Sequence, residues 1–176
     1  MSTSSKLLTC AGLIGASLLH ASTSFADDGL VVGVDAEWVR AASDDGIPSD
    51  EGFGVHARLG YQSEALILYL RPEIGGSATF FDSIDEDVNW RAYGGARLGL
   101  ALPISPAVFV HGGYGWYNRT VLGAEQDENG FTWDFGGALD LTLFDPLSVG
   151  AHISYTMNPD PIPNWLTVGG HVELIF

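Results

Sequence analysis

The stretch Trp165-Leu166-Thr167-Val168-Gly169-Gly170-His171-Val172-Glu173-Leu174-Ile175-Phe176 decides how the rest of the chain is read. Side chains alternate across a strand, so Leu166, Val168, Val172, Leu174 and Phe176 share one face, while Thr167, His171 and Glu173 share the other. One face suits hydrocarbon and the other suits water.

Moving outward from this stretch, the same alternation marks eight segments: 29–40, 52–61, 65–77, 88–102, 107–119, 131–144, 147–157 and 165–176. Each approaches or exceeds the ~9–11 residues that a tilted strand needs to cross a bilayer. Beyond the N-terminal segment, the longest apolar run, Ala65 to Leu70, falls far short of the ~18–20 residues of a membrane helix. The connections alternate as well. Gln62–Glu64, Pro103–Pro106 and Asp145–Pro146 read as short turns, whereas 41–51, 78–87, 120–130 and 158–164 read as longer loops that are acidic or rich in Pro and Gly. The pattern predicts an all-β fold, an eight-stranded antiparallel up-and-down transmembrane β-barrel, with turns at one rim and loops at the other.

Residues 1–26 carry Lys6, the apolar run Leu7 to Leu19 and the ending Ser24-Phe25-Ala26, which together form a secretory signal cut after Ala26. The exported domain is then 27–176. A lipoprotein reading of Cys10 fails because that residue precedes most of the hydrophobic run. Cleavage removes this sole cysteine, so no disulfide is expected. The net charge is −15, with 22 acids and no lysine apart from Lys6. Such a balance argues against nucleic acid as a partner.

Charge is sorted between the two phases. The apolar phase of the segments, for example Leu30, Val32, Val34, Ala36 and Trp38, contains no Asp, Glu, Lys, Arg or His. A charge facing lipid costs ~2–4 kcal/mol at the bilayer midplane, which accounts for the absence. The opposite phase holds Asp35, Glu37, His56, Arg58, Arg71, Glu73, Arg91, Arg97, His111, Asp134, Asp140, His152, His171 and Glu173. Charges withdrawn from bulk water must be paired and hydrogen-bonded, so these residues are expected to form a network in the lumen.

Trp38, Phe53, Trp90, Trp116, Phe131, Trp133 and Tyr155 fall on the lipid phase at the loop end, as an interfacial aromatic girdle requires. Tyr61 and Phe176 begin a sparser girdle at the turn end, where Phe144 lies on the wrong phase to join it. Val31, Ile67, Tyr69, Ala101, Phe109 and Ile175 are the inward residues nearest the turns and predict an apolar plug there. Pro72 interrupts the third segment, and a bulge is expected at it. The glycine pairs at 75–76, 94–95, 112–113, 136–137 and 169–170 leave room for long inward side chains.

With its alternating strands and terminal aromatic, the chain resembles the small eight-stranded outer-membrane proteins of Gram-negative bacteria, the group of the OmpA transmembrane domain and OmpX. The resemblance implies an assembly signal at Val172, Leu174 and Phe176, read by the barrel-assembly machinery during insertion. It also implies lumen charge pairs and outer loops with adhesion or receptor roles.

The expected function is that of an integral outer-membrane β-barrel with a structural or surface-interaction role, exerted through acidic extracellular loops. A narrow porin-like channel is the alternative, and a lipid A-modifying enzyme is the second. Lipid A deacylases carry a His-x-Ser pair, matched here by His152-Ile153-Ser154, but Tyr155 replaces the Asn that follows it and both residues fall on the inward phase. No catalytic residue, cofactor or dedicated metal site is therefore expected, and the lumen histidines read as members of the charge network.

Outer-membrane lipid and lipopolysaccharide are the expected surroundings. Asp44, Asp45, Asp50, Glu51, Asp82, Asp85, Glu86, Asp87, Glu125, Asp127 and Glu128 put acids on the outer side, so divalent cations or external ligands are candidate loop partners.

Overall fold

The computed structural model describes residues 28–42, 51–81, 88–121, 124–160 and 162–176. The signal segment, and the acids Asp44, Asp45, Asp50, Asp82, Asp85, Glu86 and Asp87, lie outside them.

Eight strands follow one another in chain order: β1 (Gly29–Ala42), β2 (Glu51–Ala65), β3 (Leu68–Phe81), β4 (Val88–Leu100), β5 (Ile104–Val121), β6 (Ala124–Phe144), β7 (Leu147–Met157) and β8 (Asn164–Ile175). Each pairs antiparallel with its neighbour, and β8 returns to β1 to close the barrel. Closure leaves no strand edge, which satisfies every ladder internally and is what a lipid surround demands. The last residue takes part, since Leu30 N–H donates to Phe176 O and Phe176 N–H to Leu30 O, both at 2.9 Å.

The outside is apolar. Val34, Leu70, Ile74, Val108, Val110, Leu139 and Val168 are all exposed. Of the girdle residues, Trp38, Phe53, Trp90, Trp116, Phe131 and Trp133 are exposed outward, and Tyr155 is half-buried beside Phe135 with ring centroids 5.9 Å apart. Of the residues expected to form an assembly signal, Val172 is exposed, and Leu174 and Phe176 are half-buried. No helix among the described residues is long and apolar enough to cross a membrane. The crossing is made by strands.

Several expectations drawn from sequence need correction. The first turn is not at Gln62–Glu64, because β2 continues to Ala65, which pairs with Leu68. The turn is Leu66–Ile67, with Leu66 at a φ of 61°. Ile67 is therefore exposed in the turn and takes no part in a lumen plug. The apolar run Ala65 to Leu70 concealed this, since turns are ordinarily read from Gly, Pro, Asn and Asp.

Pro72 carries no bulge. The β2–β3 ladder skips the pairs at Tyr61 and Gln62 and resumes at Ser63–Leu70 in unchanged register, so the missing N–H is accommodated by a gap. The register shift lies instead between Thr142 and Phe144. It leaves Phe144 exposed, so the phase count that turned this ring inward was wrong by the one residue a bulge inserts.

The region 120–130 is not a long loop. β5 and β6 pair continuously to Val121–Ala124, which makes their hairpin the longest among the described residues. Glu125 and Asp127 belong to this paired stretch, opposite Thr120 and Asn118. Polar residues on both faces looked like a loop, but beyond the membrane both faces of a ribbon meet water and alternation is not required.

Candidate functional site in the barrel lumen

Alternation along each strand carries one side chain in two into the lumen, and the small barrel leaves them space only to fill it. All fourteen residues of the inward charged set point there; thirteen are buried and His56 is half-buried. Glycines make the room. A Cβ on Gly33 would stand 3.0 Å from Arg58 Nε, one on Gly99 2.5 Å from Tyr69 Cε1, and one on Gly150 2.6 Å from Asp140 Oδ1. These glycines are used for close approach of side chains across the sheet.

The network is layered along the barrel axis. Toward the turns, Glu173 of β8 collects three guanidiniums from β2, β3 and β4. Arg71 Nη1 donates to both of its oxygens at 2.9 and 2.8 Å, Arg58 Nη2 to Oε1 at 2.5 Å, and Arg97 Nη1 to Oε1 at 3.4 Å. Arg71 also donates to Gln62 Oε1 at 2.6 Å, and Arg58 to Asp35 Oδ1 at 2.5 Å.

At mid-height, the His111 ring lies between two carboxylates, with Nδ1 2.7 Å from Asp134 Oδ1 and Nε2 2.6 Å from Glu73 Oε1. His171 Nε2 is 2.6 Å from Asp140 Oδ1. Toward the loops, Arg91 pairs with Asp134 and donates from Nε to Thr132 Oγ1 at 2.6 Å, while Glu37 receives His56 Nε2 at 2.6 Å and His152 Nε2 at 3.3 Å.

Two apolar layers enclose these charges. On the turn side Tyr69, Ala107, Phe109 and Ala138 form a buried cluster, with Arg71 over the Tyr69 ring at 5.2 Å and Arg97 over the Phe109 ring at 5.5 Å. Of the residues expected in a plug, Tyr69 and Phe109 belong to this cluster. Val31 is buried separately, and Ala101 and Ile175 are only half-buried.

The second layer was not foreseen. Val39, Ala41, Tyr117 and Trp165 form a buried cluster at the loop side, supported by Phe81 and Ile162. Its signal was available, because the inward phase turns apolar above Glu37 in β1 and at Trp165 in β8. Tyr117 Oη further donates to Asn158 Oδ1 at 2.9 Å, tying this lid to the β7–β8 connection.

The His-x-Ser pair is split in its surroundings. His152 is buried against Glu37, with the edge of the Phe109 ring 6.4 Å away between centroids, and Ser154 is half-buried.

A closed antiparallel barrel with an apolar exterior, an aromatic belt and a buried ionic interior is an integral membrane β-barrel. The particular family follows from the sequence: residues 8–165 match the family model of the outer membrane protein beta-barrel domain, and the chain belongs to that family. It is thus a protein of the bacterial outer membrane.

Among solved structures it is similar to Neisserial surface protein A, with a TM-score of 0.66 at 14% identity over 84% of this chain and 97% of that one. It is similar to Ail, the attachment invasion locus protein of Yersinia pestis, with a TM-score of 0.58 at 14% identity over 85% of this chain and 97% of that one. The outer-membrane enzyme PagL matches with a TM-score of 0.52 at 15% identity over 81% of this chain and 99% of that one. No curated protein sequence matches the chain. At these identities the likeness is one of fold.

Proposed function

We propose that this barrel is a closed membrane scaffold whose work is done on its outer side, where the acidic loops and the β5–β6 hairpin form an interaction surface. One observation carries the reading: the lumen is a packed ionic core held between two apolar layers, so the interior is committed to stability. From Trp116 in the girdle to Val121, β5 continues for five further residues, about 17 Å at ~3.4 Å per residue, before the chain turns back.

Two proteins of similar structure, Neisserial surface protein A and the attachment invasion locus protein Ail, agree by name with an outward role. Carboxylates at Glu51, Glu125, Asp127 and Glu128 suit contacts bridged by divalent cations to lipopolysaccharide phosphates. The strand carrying Val172, Leu174 and Phe176 is the segment that the assembly machinery would read during insertion. A lipid-modifying activity has less support, because His152 faces Glu37 inside the barrel and not a lipid substrate.

Two measurements test the proposal. In planar bilayers the refolded protein is expected to be silent, and Tyr69→Ala combined with Phe109→Ala is expected to stay silent, because the layer of Val39, Ala41, Tyr117 and Trp165 still closes the loop side. Steady, ion-selective conductance of the unaltered barrel would favour the channel reading. Replacing Asn118–Asp127 by a two-residue Asn-Gly turn, which keeps the Tyr117–Glu128 pair in register, is expected to leave the barrel folded and to abolish Mg²⁺-dependent retention on lipopolysaccharide vesicles. Retention unchanged by that replacement would remove the hairpin from the interaction surface.

A further inference from the structure

The lumen network does not balance. Among the described residues six buried carboxylates face four buried guanidiniums, and His111, whose two ring nitrogens both donate to carboxylates, offsets one charge more, so with the other imidazoles neutral the interior keeps an excess of one negative charge. Asp35 of β1, His152 of β7 and His171 of β8 converge on adjacent strands across the seam where the barrel closes, and Asp35 and His171 are direct cross-strand partners.

Asp35 Oδ1 lies 3.6 Å from His152 Nδ1 and 3.8 Å from His171 Nδ1, beyond hydrogen-bonding distance. Both Nδ1 atoms and Asp35 Oδ2 are buried without a partner. Each imidazole meanwhile directs Nε2 at a different carboxylate, His152 at Glu37 Oε2 (3.3 Å) and His171 at Asp140 Oδ1 (2.6 Å).

Those contacts select the tautomer. An N–H at Nε2 leaves a lone pair on Nδ1, so two imidazole nitrogens without a donor face the Asp35 carboxylate, whose Oδ1 accepts from Arg58 Nη1 at 2.5 Å and whose Oδ2 has no partner. Carboxylates hydrogen-bonded to the far nitrogen of each ring are the arrangement that orients and strengthens metal-ligating histidines.

We propose that Asp35, His152 and His171 form a structural site for one divalent cation of the zinc class, clamping the first strand to the last two. Two imidazoles and a carboxylate are the donor set such an ion takes, with ligands at ~2.0–2.2 Å. The spacings of 3.6 and 3.8 Å require only slight contraction about an ion at that radius. A neighbouring cluster, Asp140, His171 and Glu173, is a poorer candidate, because Glu173 is already held by three arginines and the facing His171 nitrogen by Asp140. The site is independent of any outer-surface role, since it lies within the charged layer.

The test uses untagged protein refolded into phospholipid nanodiscs with zinc chloride present throughout, so that slow entry into a filled lumen is no obstacle. Elemental analysis after gel filtration is expected to find one zinc per barrel, and His152→Gln combined with His171→Gln to find none. Asp140→Asn, which removes a supporting carboxylate, is expected to weaken affinity about 10- to 100-fold.

A variant that fails to fold is bypassed by nitrogen NMR of the unaltered barrel. There zinc moves the Nδ1 resonances of His152 and His171 and leaves those of His56 and His111 in place. A zinc-free barrel after refolding in micromolar zinc overturns the proposal and assigns the missing charge to protons on the imidazoles. Zinc retained by the double variant, or shifts confined to His56 and His111, overturns it equally.

Discussion

Replacing Glu173 by glutamine is expected to destabilise the folded barrel by about 3–5 kcal/mol, read as a lowered urea midpoint for the protein refolded in lipid. Glu173 is 1% exposed and receives Arg58, Arg71 and Arg97. Glutamine keeps the shape and one acceptor oxygen. It removes the charge that three buried guanidiniums share, and it turns an amide N–H₂ toward donors.

The interior as a whole carries excess negative charge, so a count of charges alone would predict relief. The local geometry predicts the reverse, because the three arginines that meet Glu173 lie within 3.4 Å of its oxygens. Glu51→Gln on the exposed start of β2 is the control and is expected to stay within about ±0.5 kcal/mol. A Glu173→Gln midpoint shifted by less than the equivalent of about 1 kcal/mol would show that Gln62, Asp35 and Asp140 suffice to hold the arginines.

The second large effect is expected on the opposite face. Val110 lies mid-way between Ile104 and the girdle residue Trp116 on β5 and is 52% exposed, between its partners Ala96 and Phe135 on the lipid side. Val110→Arg should cost ~2–4 kcal/mol, because the guanidinium would enter hydrocarbon near the midplane. Asn118→Arg occupies the same phase of the same strand beyond the Trp116 girdle, and it should cost only ~0–1 kcal/mol. Unfolding of both variants from bilayers measures the contrast. Equal costs at the two depths would contradict the placement of the membrane between the girdles.

How far the chain could be read before folding is clearest in β1 and β8. Val34 beside Asp35, and Val172 beside His171, announce their faces because a strand has a period of two and lipid tolerates no charge. The same rule turned the fourteen inward residues toward one another. It could not say which would meet, since Arg58 and Glu173 are 115 positions apart and touch only because the barrel closes β8 on β1. The tightness of the Leu66–Ile67 turn, the gap at Pro72 and the bulge before Phe144 were hidden for a related reason. Register belongs to a pair of strands, and a single segment does not contain it.

The β5–β6 hairpin shows where the period loses its meaning. Above the girdle the sequence of 120–130 shows no apolar phase, and only the pairing of Thr120 with Glu125 and of Val121 with Ala124 shows that strand continues there. The outer lid of Val39, Ala41, Tyr117 and Trp165 had a legible inward phase, but its members come from β1, β5 and β8 and become a layer only at a common height.

By itself, then, the sequence determined the number of crossings and the sorting of charge inside and apolar residues outside. Those follow from local alternation and from the cost of charge in lipid. The tertiary structure alone decided which charges pair, where the apolar layers close the lumen, and that Asp35, His152 and His171 share one seam. Those depend on register and stagger around the barrel, which no single strand encodes.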